Sequence, residues 1–115
     1  MSKPWVHAKS SAERWGGTPD DYIRIHERID STKMAHAEVT HRCVFHSAFG
    51  VYLIEEIFGR TLTNSAGREV HVRDVAEQHV LEDLGFIPSL SDWLGEMPCR
   101  PWMAGQRKVP VQVVD

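Results

Sequence analysis

The sequence predicts a mainly α-helical fold, a compact domain of three to four helices with one β-hairpin inserted before the third helix. Apolar residues recur at helical spacing in separate segments that are bounded by capping residues. In one short segment, apolar and polar residues alternate on both sides of a run of turn-forming residues, which is typical of a hairpin. With 115 residues, 42% hydrophobic and 25% charged, the chain matches a single globular domain with a core of its own.

The first 17 residues are expected to form an irregular N-terminal arm. Ser10 and Ser11, followed by Gly16-Gly17, disfavour a long helix there. Thr18–Asp21 then predicts a helix start, because threonine caps, proline suits the first helical position and acids favour the first turn. Apolar spacing extends this first helix to residue 29 or 30.

A second helix is predicted from Lys33 to Phe58, capped by Ser31 or Thr32 and ended by Gly59. Its later half is apolar on two sides. A helix with that pattern is usually central, so this half is expected to form the core.

Residues 61–72 are predicted to form the hairpin, and residues 74–84 the third helix, which Gly85 ends. Residues 89–94 suggest a short fourth helix. Three prolines between residues 98 and 115 indicate an extended tail. The chain is therefore read as one domain, with a helical core at 18–97 between the arm and the tail.

Composition restricts the function classes. A net charge of −3 argues against general nucleic-acid binding, which requires a basic face, and no apolar run approaches the length that spans a bilayer. Cys43 and Cys99 do not have the CxxC spacing of metal-binding or redox-active pairs. They are interpreted as reduced thiols, which favours a cytoplasmic setting. Four tryptophans in so small a chain lead us to expect a homodimer, the commonest closed oligomer.

Histidine is the most informative residue type. The chain has seven, and His26, His41, His46 and His79 fall where helices should pack. Imidazole titrates near neutrality and is the commonest metal ligand. On one continuous helix, however, His36, His41 and His46 would diverge by about 140° at each step, so those three are not expected to share an ion.

Helical geometry suggests where a site would form. If the first two helices are antiparallel, His26 comes within reach of His41, and Asp30 lies one turn beyond. His79 and Asp83 share one face of the third helix. A metal site between the three helices would thus collect His26, His41, His79 and Asp83, a donor set that suits Zn²⁺, Fe²⁺, Mn²⁺ or Ni²⁺.

The leading hypothesis is metal-dependent hydrolysis of a small substrate, such as a phosphoester, lactone, ester or amide. The ion would lower the pKa of bound water toward about 7. Asp30 or His46 would act as catalytic groups that handle protons, and Lys33 and Arg42 would bind an anionic group of the substrate.

The alternative is a non-catalytic interaction or inhibitor protein. A single histidine near a core is usually a hydrogen-bonded structural residue, and no dense metal motif such as H-E-x-x-H is present. His7 and His71 are expected to be exposed, on the arm and the hairpin. In this alternative the tryptophan-rich arm and tail would be the binding surface.

Three stretches together resemble a family of small bacterial and phage-borne proteins without an established activity. They are HAKSS with GG and DY (residues 7–22), IH with DS-x-K and HR-x₃-H (residues 25–46), and VRDV-x-EQHV-x₂-DLG-x-IP (residues 72–88). The resemblance covers most of the chain and implies a phage or mobile-element setting. Its recurring polar positions match His26, Asp30, Lys33, His41, Arg42, His46, His79 and Asp83, but not His36 or His71. The family often has arginine where this chain has Thr40 and Phe45, which implies a weaker anion site here.

Overall fold

The computed structural model describes residues 3–105, and its backbone confirms the mainly α-helical fold with one hairpin. Short 3₁₀ turns occur at Pro19–Asp21, Ser31–Met34, Val39–Cys43 and Pro101–Ala104. The regular elements are α1 (Pro4–Trp15), α2 (Ile23–Asp30), α3 (Ala48–Phe58), β1 (Thr61–Thr63), β2 (Glu69–His71), α4 (Val72–Leu84) and α5 (Leu90–Leu94).

The predicted irregular arm is wrong, because most of it forms α1. Pro4 occupies the start of this helix, and Gly16 ends it with a φ of 90°, a conformation that favours glycine. His7, Ala8 and Ser11 form its buried face. Packing of that face against the rest of the molecule outweighs the weak helix propensity of serine.

The prediction of one helix from Lys33 to Phe58 is also wrong. Two 3₁₀ turns precede α3, which begins after Ser47, whose side chain accepts a hydrogen bond from the Gly50 N–H at 2.9 Å. A Cβ on Gly50 would lie 2.3 Å from the Phe45 carbonyl oxygen. The preceding backbone therefore crosses directly over the first turn of α3, and a straight helix cannot continue through that crossing.

The hairpin and the later helices follow the prediction closely. Leu62 pairs with Val70 in an antiparallel register, and β2 runs directly into α4. Gly85 ends α4 in the left-handed conformation, and Ser89 caps α5. In the predicted extended tail, residues 101–104 form a 3₁₀ turn; residues 106–115 lie outside the described residues.

The apolar core lies between α1, α2, α3 and α4, which pack against one another. Val51 and Ile54 are the side chains of α3 that are buried in this core. Phe49 and Ile57, on the second apolar side predicted for this helix, are about half exposed. No helix within residues 3–105 has the length and apolarity needed to cross a membrane. The buried apolar side chains are Ala8, Tyr22, Ile25, Ile29, Val51, Ile54, Val70, Val72, Val75, Ala76 and Val80.

Candidate metal centre

Four histidine rings lie together beside the apolar core. His7 on α1, His26 on α2, His46 before α3 and His79 on α4 are all completely buried. The ring of His79 lies 3.9 Å from that of His7 and 5.1 Å from each of the other two, measured between centroids. The expectation that His7 is exposed is wrong, because α1 turns this residue inward.

Two of these histidines converge with two carboxylates. One ligand atom from each of Asp30, His46, His79 and Asp83 lies within 4.8 Å of the other three. The Nε2 atom of His79 is 3.1 Å from Asp30 Oδ1 and 3.2 Å from Asp83 Oδ2. His46 Nε2 is 2.9 Å from Asp83 Oδ2 and 3.6 Å from Asp30 Oδ1. This group, called the His/Asp group below, could hold a metal ion.

Asp30 is the member of the His/Asp group nearest to solvent. Its side chain is 11% exposed, whereas that of Asp83 is 2% exposed and both histidines are fully buried. Asp30 and Lys33 also line an open cavity of about 660 Å³. A molecule from solution would therefore reach the group from the side of Asp30.

A chain of hydrogen bonds determines the protonation of His26. The side-chain amide of Gln78 donates to the carbonyl oxygen of His7 at 3.0 Å, which turns its Oε1 toward Ser11. The Ser11 hydroxyl donates to that oxygen at 2.5 Å. Because the single hydroxyl proton of Ser11 is used in that bond, its oxygen accepts from the Nε2–H of His26 at 2.8 Å.

The same chain makes the Nδ1 atom of His79 a hydrogen-bond donor. Burial, with the charges of His79 and His7, lowers the pKa of His26 to about 2, so His26 is neutral and its Nδ1 carries no proton. This atom accepts from His79 Nδ1, 2.9 Å away. The other ring nitrogen of His79, Nε2, faces the carboxylates of Asp30 and Asp83.

His7 connects α1 to the end of α4. Its Nδ1 lies 2.7 Å from Glu82 Oε1, and its Nε2 lies 3.2 Å from Asp83 Oδ1 in an ion pair without hydrogen-bond alignment. Burial lowers the pKa of His7, but the two carboxylates outweigh burial and raise the pKa above its usual value. His7 therefore favours its charged form, which balances these acids.

Asp83 is the centre of the charge network. Burial raises the pKa of its carboxyl group, but contacts with His46, His7 and His79 outweigh burial and hold the pKa well below its usual range. Arg42 is also close, with Nη2 3.7 Å from Asp83 Oδ2. Asp83 is thus a carboxylate, as a metal ligand must be.

His41 is buried but lies outside the His/Asp group. Its Nδ1 is 2.8 Å from Thr32 Oγ1, and this hydroxyl donates to the His41 carbonyl oxygen at 3.0 Å. The pKa of His41 is lowered, first by burial and then by His46; Arg42 and Lys33 lower it further, whereas Asp30 opposes them. The pKa of His46 is lowered as well, chiefly by burial, and its carbonyl oxygen accepts from the Trp93 indole at 2.8 Å.

The structure thus distributes the predicted site residues over three positions. The His/Asp group contains His79 and Asp83, predicted as ligands, and Asp30 and His46, predicted to handle protons. His26 lies behind His79, and His41 contacts Thr32. Of the predicted substrate-binding residues, Arg42 is nearly buried beside Asp83, and Lys33 is exposed at the cavity.

Sequence reasoning missed His7, Ser11 and Gln78. A signal for the first two was present, since Pro4 can begin a helix and His7, Ser11 and Trp15 recur at a spacing of four. No local pattern shows that Gln78, on α4, forms hydrogen bonds with His7 and Ser11 on α1.

Fold and site together define a small, mainly α-helical domain with a buried histidine and aspartate group able to hold a metal ion. The chain belongs to the family described as a domain of unknown function, DUF6915, whose model matches residues 2–103. Comparisons with curated proteins and with solved structures find no match.

Proposed function

We propose that the protein is a metal-dependent hydrolase in which Asp30, His46, His79 and Asp83 bind one divalent ion. The observation that carries this proposal is the convergence of two imidazole nitrogens and two carboxylate oxygens from three separate segments. His26 and His41, predicted as ligands from helical geometry, are not assigned to the ion.

The distances within the His/Asp group support four-coordinate binding. Zinc binds nitrogen and oxygen ligands at about 2.0–2.2 Å, which places neighbouring ligands of a tetrahedron about 3.3–3.6 Å apart. Four of the distances in the group run from 2.9 to 3.6 Å. Small side-chain adjustments are therefore enough to enclose an ion.

The hydrogen bonds behind His79 also support metal binding. The relay from Gln78 through Ser11 and His26 makes Nδ1 of His79 a donor and directs its Nε2 at two carboxylate oxygens. A divalent ion placed between the Nε2 lone pair and the carboxylates would be attracted by all three groups. Metal-binding histidines commonly hold their second ring nitrogen in a hydrogen bond of this kind.

The charges of the cluster also favour a cation. Asp30, Glu82 and Asp83 are three carboxylates, and His7 and Arg42 are the cations closest to them. The negative charges exceed the positive ones by one when the remaining histidines are neutral. Burying charge without partners is costly, and a divalent ion would offset the two negative charges of its ligands, Asp30 and Asp83.

The donor set of two imidazoles and two carboxylates suits Zn²⁺, Fe²⁺, Mn²⁺ or Ni²⁺. Four protein ligands fill a tetrahedral site, whereas hydrolysis needs a position for water. Asp30 is the ligand that can give up its position, because it is the most exposed and lines the cavity. His46, His79 and Asp83 would keep the ion in place.

Asp30 would then serve two roles in turn. An ion held by His46, His79 and Asp83 would make a water in the place of this carboxylate more acidic, and the Asp30 carboxylate would receive the proton. The hydroxide would add to the carbonyl carbon or phosphorus of the substrate. The bond to the leaving group would break, and Asp30 would return the proton to the leaving group. This assignment retains the proton-handling role predicted for Asp30.

Metal analysis tests the proposal directly. Tag-free protein purified without chelator is expected to contain about one divalent ion per chain, and His79→Asn is expected to lose it. His36→Asn is the matched control, because this exposed histidine lies outside the group. The loaded protein is then assayed on a panel of phosphoesters, lactones, esters and amides. If the melting temperature of metal-free protein does not change when Zn²⁺, Mn²⁺, Ni²⁺ or Fe²⁺ is added, the metal site is disproved.

A further inference from the structure

Arg42 is nearly buried without a satisfactory partner. Its side chain is 9% exposed, and its Nη2 lies 3.7 Å from Asp83 Oδ2, too far for a hydrogen bond. Its Nε has no hydrogen-bond partner among residues 3–105. A buried charge is costly unless it is paired and hydrogen-bonded. The guanidinium therefore retains donor capacity that a bound anion could use.

Two histidines beside Arg42 also have unused ring nitrogens. His41 Nε2 and His46 Nδ1 are buried and find no hydrogen-bond partner in the described part of the chain. Their rings are arranged edge to face, with centroids 6.3 Å apart. Buried polar atoms in proteins are nearly always satisfied by protein, water or ligand. Residues 41–46 thus concentrate unsatisfied polar atoms next to the His/Asp group.

Basic side chains also surround the opening toward Asp30. Arg24, Arg28 and Lys33 line the 660 Å³ cavity together with Asp30, and Glu27 is a second acid in its lining. Within residues 3–105, none of these three cations forms an ion pair. Positive charge therefore exceeds negative charge around the cavity, and binding of a metal ion by Asp30 would increase that excess.

Lys33 and Arg42 lie near the same ring although they belong to different segments. Thr32, which precedes Lys33, contacts His41, which precedes Arg42: its Oγ1 lies 2.8 Å from His41 Nδ1 and donates to the His41 carbonyl oxygen. The exposed lysine, the buried arginine and the exposed edge of the metal site are thus grouped around His41.

We propose that the substrate carries a phosphate group, which Arg42 and Lys33 bind beside the metal site. The proposal deepens the proposed function and rests on it for the adjacent ion. A guanidinium matches phosphate through two parallel hydrogen bonds, and an ammonium adds a point charge. A phosphate dianion suits this concentration of positive charge better than a carboxylate does.

Phenyl phosphate is the probe for a test by nuclear magnetic resonance. The titration is run on ¹⁵N-labelled full-length protein, metal-free and Zn²⁺-loaded, and follows the Nε–H signal of Arg42, which Arg42→Lys assigns by removing it. We expect a saturable shift of this signal. Lys33→Gln is expected to weaken binding about tenfold, the effect of one charge-assisted hydrogen bond. Lys9→Gln, at an exposed lysine on α1, makes the same charge change and is expected to leave binding unchanged.

Several results would overturn the phosphate site. They are an Arg42 signal that does not move, equal weakening by Lys9→Gln and Lys33→Gln, or equally tight binding of phenylacetate. Lys33 is exposed, so its substitution tests the proposal even if changes at Arg42 prevent folding. Failure to take up Zn²⁺ contradicts the proposed function instead, and the metal-free titration still tests the anion site.

Discussion

The Nδ1 atoms of His26 and His79 lie 2.9 Å apart, and both rings are completely buried. Two histidines joined through these nitrogens cannot both donate, so their tautomers are linked. Ser11 and Gln78 decide the direction, because their hydrogen bonds leave His26 as the acceptor. His26 is therefore a positioning residue that orients His79.

Ser11→Ala is expected to weaken metal binding. The substitution removes the acceptor of the His26 Nε2–H and so releases the tautomer of His79. Loss of such an outer hydrogen bond typically costs 10- to 100-fold in metal affinity, measurable by competition with a chromophoric chelator. Ser91→Ala on the exposed surface of α5 is the control. Equal affinity of the two variants would show that the relay does not tune the site.

Asp21 is expected to make stability depend on acid pH. Its carboxylate accepts from Thr18 N–H at 2.8 Å and from Ser65 N–H at 3.1 Å; the Thr18 contact is the main cause of its lowered pKa. A carboxyl group whose pKa is lowered by folding stabilises the fold above its unfolded pKa of 3.8, and this contribution disappears as the pH falls through the folded pKa.

The test compares Asp21→Asn with wild type by urea denaturation. At pH 7 we expect the free energy of unfolding to fall by about 1 kcal/mol, the usual contribution of a hydrogen bond. The difference should shrink steadily as the pH is lowered below 3.8. Asp20→Asn, the exposed neighbour, should behave like wild type; a loss equal to that of Asp21→Asn would point to the dipole of the turn instead.

Gly17→Ala is expected to destabilise the fold more than Gly67→Ala. Both glycines have positive φ, 76° and 84°, a conformation that costs other residues about 1–2 kcal/mol of free energy. At Gly17 a new Cβ would also lie 2.3 Å from Asp21 Oδ2 and 3.0 Å from Asn64 Cβ, whereas at Gly67 it would have no atom of the described residues within 4 Å. Thermal unfolding of the pair separates backbone strain from steric overlap, and similar melting temperatures would mean that the loop relaxes freely.

His36→Ala and His41→Ala are expected to differ. His36 is exposed, so its loss should change the free energy of unfolding by at most about 0.5 kcal/mol. His41 is buried and bonded to Thr32, so its loss should cost at least about 1 kcal/mol. Guanidinium denaturation of metal-free protein provides the comparison. Equal costs would contradict the packing of the 3₁₀ turn at Val39–Cys43.

Element boundaries were predictable where the signal is local. Gly59 and Gly85 end α3 and α4, and Ser89 caps α5, because capping depends on residues a few positions apart. The broken second helix was not predictable in this way. Helical phase separates His41 from His46 by about 140°, but neither residue lies in an α-helix, and both side chains are buried.

The composition of the site was predictable in part for the same reason. His79 and Asp83 share a face of one helix, so their spacing alone brings them together. The pairing of His7 with Glu82 depends on how α1 docks onto α4, which follows from packing rather than spacing. Weak helix propensity around Ser10 and Ser11 obscured α1 and with it the whole contribution of His7.

The contacts of the cluster join residues that are 37 apart for His46 and Asp83, 53 for His26 and His79, and 75 for His7 and Glu82. Closing such long loops costs more conformational entropy than forming contacts between residues close in sequence. The ligands therefore come together only when distant parts of the chain pack, so an ion that bound the assembled group would favour the native state over the unfolded one. An interaction that is absent from the folding transition state slows unfolding, with little change in the rate of folding.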